Sequence, residues 1–293
     1  MLRARNVESM TAAAPARQAV THKVNGLTVT EWPGEGPVVF CLSGLGSFAP
    51  TWAPFAASVP GARVFGIDLR GRGAGQGMTG PSGMRAHAKD VAGVLSALDL
   101  TDVVLVGHSM GAFLAPIVAQ EVTGRIAKLV LVDGGIRPAF PFFMKPGLVR
   151  LTFNKQLKDA DKTFPSVEAL AAKARVGKML ADRPDLRPAL LEVLADESRQ
   201  GDGFRPKLDV ARAVDDAVDC FFGPDNAPAL AALTVPAEVF LAEHAKGTSD
   251  KPFISDKAVA EAVAKQPLLH VTRLAGNHVT VLFAPEVAAA VVA

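Results

Sequence analysis

Short runs of β-branched and aromatic residues alternate along this chain with longer stretches whose apolar positions recur at helical spacing. That alternation predicts an α/β fold with a mostly parallel central sheet flanked by helices. The segment "HKVNGLTVTEW" reads as an opening hairpin, with Asn25-Gly26 supplying the turn. The runs "PVVFCLSG", "ARVFGIDLRGRG", "DVVLVGHS" and "RIAKLVLVDGG" read as the strands that follow. Helices are predicted between them over 50–58, over 82–98 and through "MGAFLAPIVAQEV". In the second of these, Val91, Val94, Leu95 and Leu98 share one face.

From 136 to 233 the strand rhythm disappears. This region is rich in Pro and Phe, and stretches such as "VEALAAKARVGKML" and "RPALLEVLADES" are amphipathic. The rhythm returns with "VPAEVFLAE", a helix over 256–265, "LLHVTRLAGNH" and a last helix containing "PEVAAAVVA". A helical insertion between two strands of one sheet accounts for this order better than two tandem domains. The chain therefore divides into a tail over 1–18, a core over 19–135 and 234–293, and an inserted helical segment over 136–233.

Composition narrows the function classes. The 293 residues are 49% apolar and 20% charged, as in globular rather than disordered chains. Net charge is +2 with no clustered basic stripe, which offers nothing to nucleic acid. Apolar stretches are interrupted well before the ~18 residues that a membrane span needs, so no membrane span is expected. The N-terminus lacks the apolar segment of a secretory signal, and its Arg-bearing, acid-poor composition is only a weak match to a targeting peptide. Cys41 and Cys220 lie in apolar contexts far apart and read as two buried free thiols, which fits a reducing cytoplasm. No Cys/His spacing suggests a metal, and no cofactor is expected.

The chemistry begins at Gly107-His108-Ser109-Met110-Gly111, a G-x-S-x-G placed between a buried strand and a helix. At such a sharp turn the serine hydroxyl is lifted above the sheet, and the helix N-terminus aims backbone N–H groups at an oxyanion. An N-capping serine is the plainer alternative. A serine nucleophile needs a general base within hydrogen-bond reach. Of the six histidines, His22 lies in the hairpin, His87 in a helix, and His270 mid-strand. His108, next to the serine, is expected to point away from it. His278 follows "LAGN" after the last strand, on a loop expected above the same sheet edge as Ser109.

The segments "CLSGLGSFAPTW", "GIDLRGRGAG", "LVGHSMGAFLA", "KLVLVDGG" and "GNHVTVLFAPE", in this order, resemble those of the α/β-hydrolase superfamily from about residue 20 to the end. The resemblance implies the α/β-hydrolase fold, a cap over the active site at 136–233, and the order nucleophile, acid, histidine. It also implies an oxyanion hole from the backbone N–H groups of Met110 and Leu45. Many relatives carry His-Gly where this chain has Ser43-Gly44; Ser43 either contacts substrate or serves structure.

The family's usual acid follows the strand after the cap, in a pattern like L-x-G-x-x-D. Laid on "EVFLAEHAKGTSD", the pattern sets Ala242 at the glycine and Ala245 at the acid. Glu243 and Asp250 are the nearest carboxylates. The superfamily's other acid position, used by haloalkane dehalogenases, follows the strand before the cap, where this chain has Asp133. Many relatives keep an aspartate there for structure, but with alanine at 245 the catalytic reading moves to Asp133, with Glu243 and Asp250 still open.

"RPAFPFFMKP", directly after Asp133, is the stretch expected to line an apolar pocket, through Phe140, Phe142 and Phe143. The chain has no tyrosine, so the phenolic proton donor of epoxide hydrolases is absent, and a serine nucleophile argues against dehalogenation. Arg70 and Arg72 read as loop-structuring. The expectation is a cofactor-free hydrolase of a small ester or lactone. The rivals are a C–C hydrolase of diketone or ring-fission products and a non-catalytic ligand-binding protein. The sequence leaves oligomeric state open.

Overall fold

The computed structural model describes residues 17–140, 143–244 and 251–293. The opening hairpin pairs β1 (Val20–Val24) with β2 (Leu27–Trp32) across Asn25 and Gly26, whose φ values of 52° and 81° are both left-handed. Such a turn matches the right-handed twist of the strands it joins. β2 lies antiparallel to β4 (Arg63–Asp68), which runs parallel to β3 (Val38–Leu42). β3 also pairs in parallel with β5 (Val103–His108), and β5 with β6 (Ile126–Val132). A two-residue hairpin, β7 (Arg199–Gln200) and β8 (Gly203–Phe204), stands apart from this sheet. β9 (Ala237–His244) and β10 (Leu269–Asn277) complete the parallel edge.

The sheet order is β1-β2-β4-β3-β5-β6-β9-β10. The chain leaves β3 for β4 on one side and returns to β5 on the other. The carboxyl ends of β3 and β5 therefore flank a topological switch point, where open α/β sheets form their ligand crevice.

Alternation along the central strands divides the core into two layers. Phe40, Leu42, Leu105, Leu129, Leu131, Val239 and Leu241 face one side, against Val91, Val94 and Leu95 of helix Met84–Ala97 and Phe113 and Ile117 of helix Met110–Glu121. Val39, Cys41, Val104, Val106, Val130, Val132 and Phe240 face the other, against Phe55, Ala56, Val287 and Val291. Burial of both sheet faces explains why these strands read as continuous apolar runs. Cys41 and Cys220 are both free and buried, in opposite layers, and burial pushes both thiols well above the ordinary range.

Between β6 and β9 lie helices Pro146–Leu157, Val167–Lys173, Val176–Met179, Arg187–Ser198, Val210–Phe222 and Asn226–Ala231. The amphipathic stretch "VEALAAKARVGKML" is two helices, because Arg175 adopts a left-handed φ of 60°. The break brings Val176 and Leu180 into one small cluster with Ala171, apart from the main core. Helix Asn226–Ala231 instead sends Ala229 and Leu230 into the main core. Of the tail expected over 1–18, residues 1–16 lie outside the described residues. Arg17 donates to the carbonyls of Pro33, at 2.9 Å, and of Ala56 and Ala62, both at 2.5 Å, which ties that point of the chain to the core. Among the described residues, no helix is long and apolar enough to cross a membrane.

Candidate active site

Ser109 follows β5 and immediately precedes helix Met110–Glu121, with φ 56° and ψ −117°. A non-glycine residue in this region stores strain, and it persists only where neighbours over-determine it. The neighbours here are glycines for a packing reason. A Cβ on Gly107 would lie 2.3 Å from the Gly111 carbonyl oxygen, and one on Gly111 would lie 2.0 Å from that of Leu42. Strand, turn and helix meet only because both positions lack a side chain. Gly111→Ala is therefore expected to destabilise the protein by about 1–3 kcal/mol, an overpacking cost, read from the urea midpoint. An unchanged midpoint would mean that the elbow can relax.

Asp133 closes β6 with φ 43° and no solvent exposure. Its backbone N–H donates to Phe240 O at 2.8 Å, and its Oδ1 accepts from the Ala242 N–H at 3.0 Å. Both bonds reach β9, so the carboxylate is fixed from the neighbouring strand. Its Oδ2 lies 2.5 Å from His278 Nδ1. His278 Nε2 in turn lies 3.0 Å from Ser109 Oγ. Ionised aspartate can only accept, so Nδ1 carries a proton, and neutral Nε2 is left free to accept from the serine. The structure thus brings together Ser109, His278 and Asp133. Glu243 is exposed at the end of β9, and Asp250 lies outside the described residues, as does Ala245.

His108 hydrogen-bonds the backbone carbonyl of His278 through Nε2 at 2.7 Å, and the two rings are 5.0 Å apart. A carbonyl accepts only, so this nitrogen carries the proton. Burial, together with the neighbouring His278, lowers the His108 pKa to about 4. The unfolded chain, with an ordinary histidine pKa near 6.5, takes up this proton first as pH falls. Stability held above pH 6.5 is therefore lost as pH falls toward 4. Thermal unfolding across that window is expected to show a shallower pH dependence for His108→Asn than for the wild type; parallel curves would rule this role out.

Of the two expected oxyanion donors, Met110 directly follows the serine and Leu45 follows a residue that packs against it. Met110 is the first residue of its helix, so its N–H has no intrahelical partner. Leu45 follows Gly44, where a Cβ would lie 3.3 Å from Ser109 Cβ. Arg72, only 1% exposed, touches both donor residues: its Nε donates to Leu45 O at 2.7 Å and its Nη2 approaches Met110 Sδ at 3.4 Å. The same Nη2 donates to Asp216 Oδ2 at 2.7 Å, and His87 Nε2 lies 2.9 Å from that oxygen. Burial alone would push the Asp216 carboxyl up, but its bonds and charge contacts with His87 and Arg72 hold it at about 2. Arg70 pairs with Asp90, its Nη2 donating to Oδ1 at 2.7 Å.

Ser43 is buried, and its hydroxyl accepts from Trp52 Nε1 at 2.9 Å, which engages it in the core. Phe140 stacks on Phe222 at 5.6 Å and meets Phe221 edge-on at 5.3 Å. Phe221 continues to Phe253 at 6.1 Å, and Phe253 meets the His278 ring at 5.9 Å. Phe143, by contrast, is 56% exposed, and Phe142 lies outside the described residues. Phe253, which sits in a loop without periodicity, has no sequence signal that marks it. No group of three or more His, Cys, Asp or Glu side chains that could hold a metal ion occurs among the described residues.

A family model described as "Alpha/beta hydrolase family" matches residues 38–291. A 2-hydroxy-6-oxononadienedioate/2-hydroxy-6-oxononatrienedioate hydrolase of Paraburkholderia xenovorans is 31% identical over 194 residues, covering 60% of this chain and 67% of that one. A putative carbamate hydrolase, RutD, of Caulobacter segnis is 36% identical over 124 residues, covering 40% and 46%. The match thus spans less than half the length of this curated relative. The crystal structure of E-2-(acetamidomethylene)succinate hydrolase superposes with a TM-score of 0.72 at 20% identity, covering 94% of this chain and 97% of that one. An enol-lactonase from Burkholderia xenovorans gives 0.62 at 20% identity, covering 89% and 93%. At these identities the structural likeness speaks for the fold alone.

Proposed function

Because the chain belongs to the alpha/beta hydrolase family, we propose that it is a serine hydrolase cleaving a carboxylic ester or lactone with an apolar body. The observation that carries this reading is the hydrogen-bonded series from Asp133 Oδ2 through His278 to Ser109 Oγ, at 2.5 and 3.0 Å, beside the switch point of the sheet. Ser109 Oγ attacks the carbonyl carbon while His278 Nε2 takes its proton. The tetrahedral oxyanion sits against the N–H groups of Leu45 and Met110, which together contribute several kcal/mol. His278 returns the proton to the departing alkoxide, leaving an acyl group on Ser109. Water, deprotonated by the same nitrogen, then releases the acid and regenerates the serine. Asp133 keeps His278 in the productive tautomer and stabilises the imidazolium that forms.

In this proposal the inserted segment caps the site, and the row Phe140, Phe221 and Phe253 forms an apolar wall running to His278. Such a wall favours a substrate body without charge. A second reading, hydrolysis of a C–C bond in a ring-fission product, draws on the similarity to the Paraburkholderia hydrolase. A pure binding role would leave the Ser109–His278–Asp133 geometry without a purpose. A panel of chromogenic esters, lactones and vinylogous diketones separates the readings. Turnover of apolar esters or lactones is expected; cleavage confined to the diketones would replace the first reading with the second.

A further inference from the structure

His278 sits in a loop held by the inserted segment on both sides of it. Asn277, just before it, is 5% exposed, and its Oδ1 accepts the Val279 N–H at 2.9 Å. Its Nδ2 donates to Met179 O and to Asp182 Oδ1, both at 3.0 Å. Both of these partners belong to the insertion. Thr280, just after His278, donates through Oγ1 to Asp182 Oδ2 at 2.6 Å and accepts the Asn277 N–H at 3.0 Å. Val279 packs into the insertion's own apolar cluster with Val176 and Leu180. Arg183 Nη1 donates to Phe283 O at 3.0 Å, extending the seam. The close approach needs Gly276, with φ 117°, because a Cβ there would lie 2.9 Å from Thr280 Oγ1.

From these contacts we infer that Asp182 is a positioning residue: its carboxylate latches the inserted segment to the loop that presents His278. Resting on the serine-hydrolase reading above, the inference adds a coupling that the catalytic series does not contain. One carboxylate bonds residues 277 and 280 at once, so it fixes the backbone between them. If the segment moved away, Asn277 and Thr280 would lose three hydrogen bonds to it at once, and Val279 its apolar contacts with Val176 and Leu180. The part of the insertion at 179–183 therefore stays with the core during turnover. Displacements of the order of 1 Å at a reacting group can cost about 100-fold in rate, so the latch acts on kcat rather than on substrate affinity.

The experiment uses the full chain and p-nitrophenyl butyrate as probe. Asp182 is itself exposed, so replacing it leaves the fold in place, as an unchanged Tm verifies. Asp182→Ala is expected to lower kcat about 10- to 100-fold with KM within twofold of wild type. Asp182→Asn, which keeps one acceptor oxygen, falls between. Asp215→Ala, which removes an exposed pairing with Arg150 elsewhere in the insertion, serves as a control with wild-type kcat. Asp182→Ala combined with Thr280→Val is expected to be no slower than the slower single variant, because both break one latch. Amide exchange at 277–280 speeds up in Asp182→Ala while that of β3 and β5 does not. An unchanged kcat, or a raised KM at unchanged kcat, overturns the latch. A wild type that turns over no ester at all overturns the ester reading instead, and amide exchange at 277–280 then decides the latch by itself: unchanged exchange in Asp182→Ala overturns it.

Discussion

Asp133→Asn is expected to lower kcat by about 10⁴-fold, the scale seen when a triad acid is replaced by its amide, while KM and Tm stay close to wild type. The reason lies in which atoms can donate. The asparagine oxygen still accepts the Ala242 N–H that Asp133 Oδ1 accepts, so the link to β9 survives. That leaves the amide NH₂ facing His278 Nδ1, where Asp133 Oδ2 stood at 2.5 Å. Two donors cannot face each other, so His278 moves its proton to Nε2 and turns that donor toward Ser109. The serine hydroxyl then has no acceptor, although every atom keeps its place. Steady-state kinetics with a chromogenic ester checks this directly. Near-normal turnover in Asp133→Asn, alongside a loss in Asp250→Asn or Glu243→Gln, would move the acid elsewhere.

The second large effect is at the nucleophile. Ser109→Ala is expected to lower kcat by about 10⁶-fold, leaving only the activity that oxyanion contacts and substrate binding supply. Combining Ser109→Ala with His278→Ala is expected to cost almost nothing more, since a base without a nucleophile has no role. Tm should change little, because alanine inherits the left-handed φ of 56° and fits the same space. Multiplicative losses in the double variant would show two independent contributions rather than one relay.

Much of this architecture was legible in the chain because its causes are local. The Asn25-Gly26 turn is written in two residues that tolerate positive φ, and the central strands in apolar runs buried on both faces. The elbow is legible in five residues, since its two glycines meet backbone from neighbouring elements. Asp133, the proposed acid, is marked only indirectly, by the alanine that stands at 245. Other features join residues that no window spans. His108 reaches the His278 carbonyl across 170 positions, and Arg72 reaches Asp216 across 144. The break at Arg175 contradicts a smooth helical periodicity, because packing of Val176 and Leu180 decides it. Phe253 and Asp182 lie outside regular elements, where side-chain type alone carries no positional information.

The most direct test of a serine nucleophile driven by His278 is intact-mass analysis after exposure to a fluorophosphonate probe, followed by peptide mapping. A single phosphonyl adduct on Ser109 is expected in the wild type. Labelling should be strongly slowed in His278→Ala and absent in Ser109→Ala. A wild type that gains no adduct, or one that carries it on a different residue, would contradict a Ser109 nucleophile.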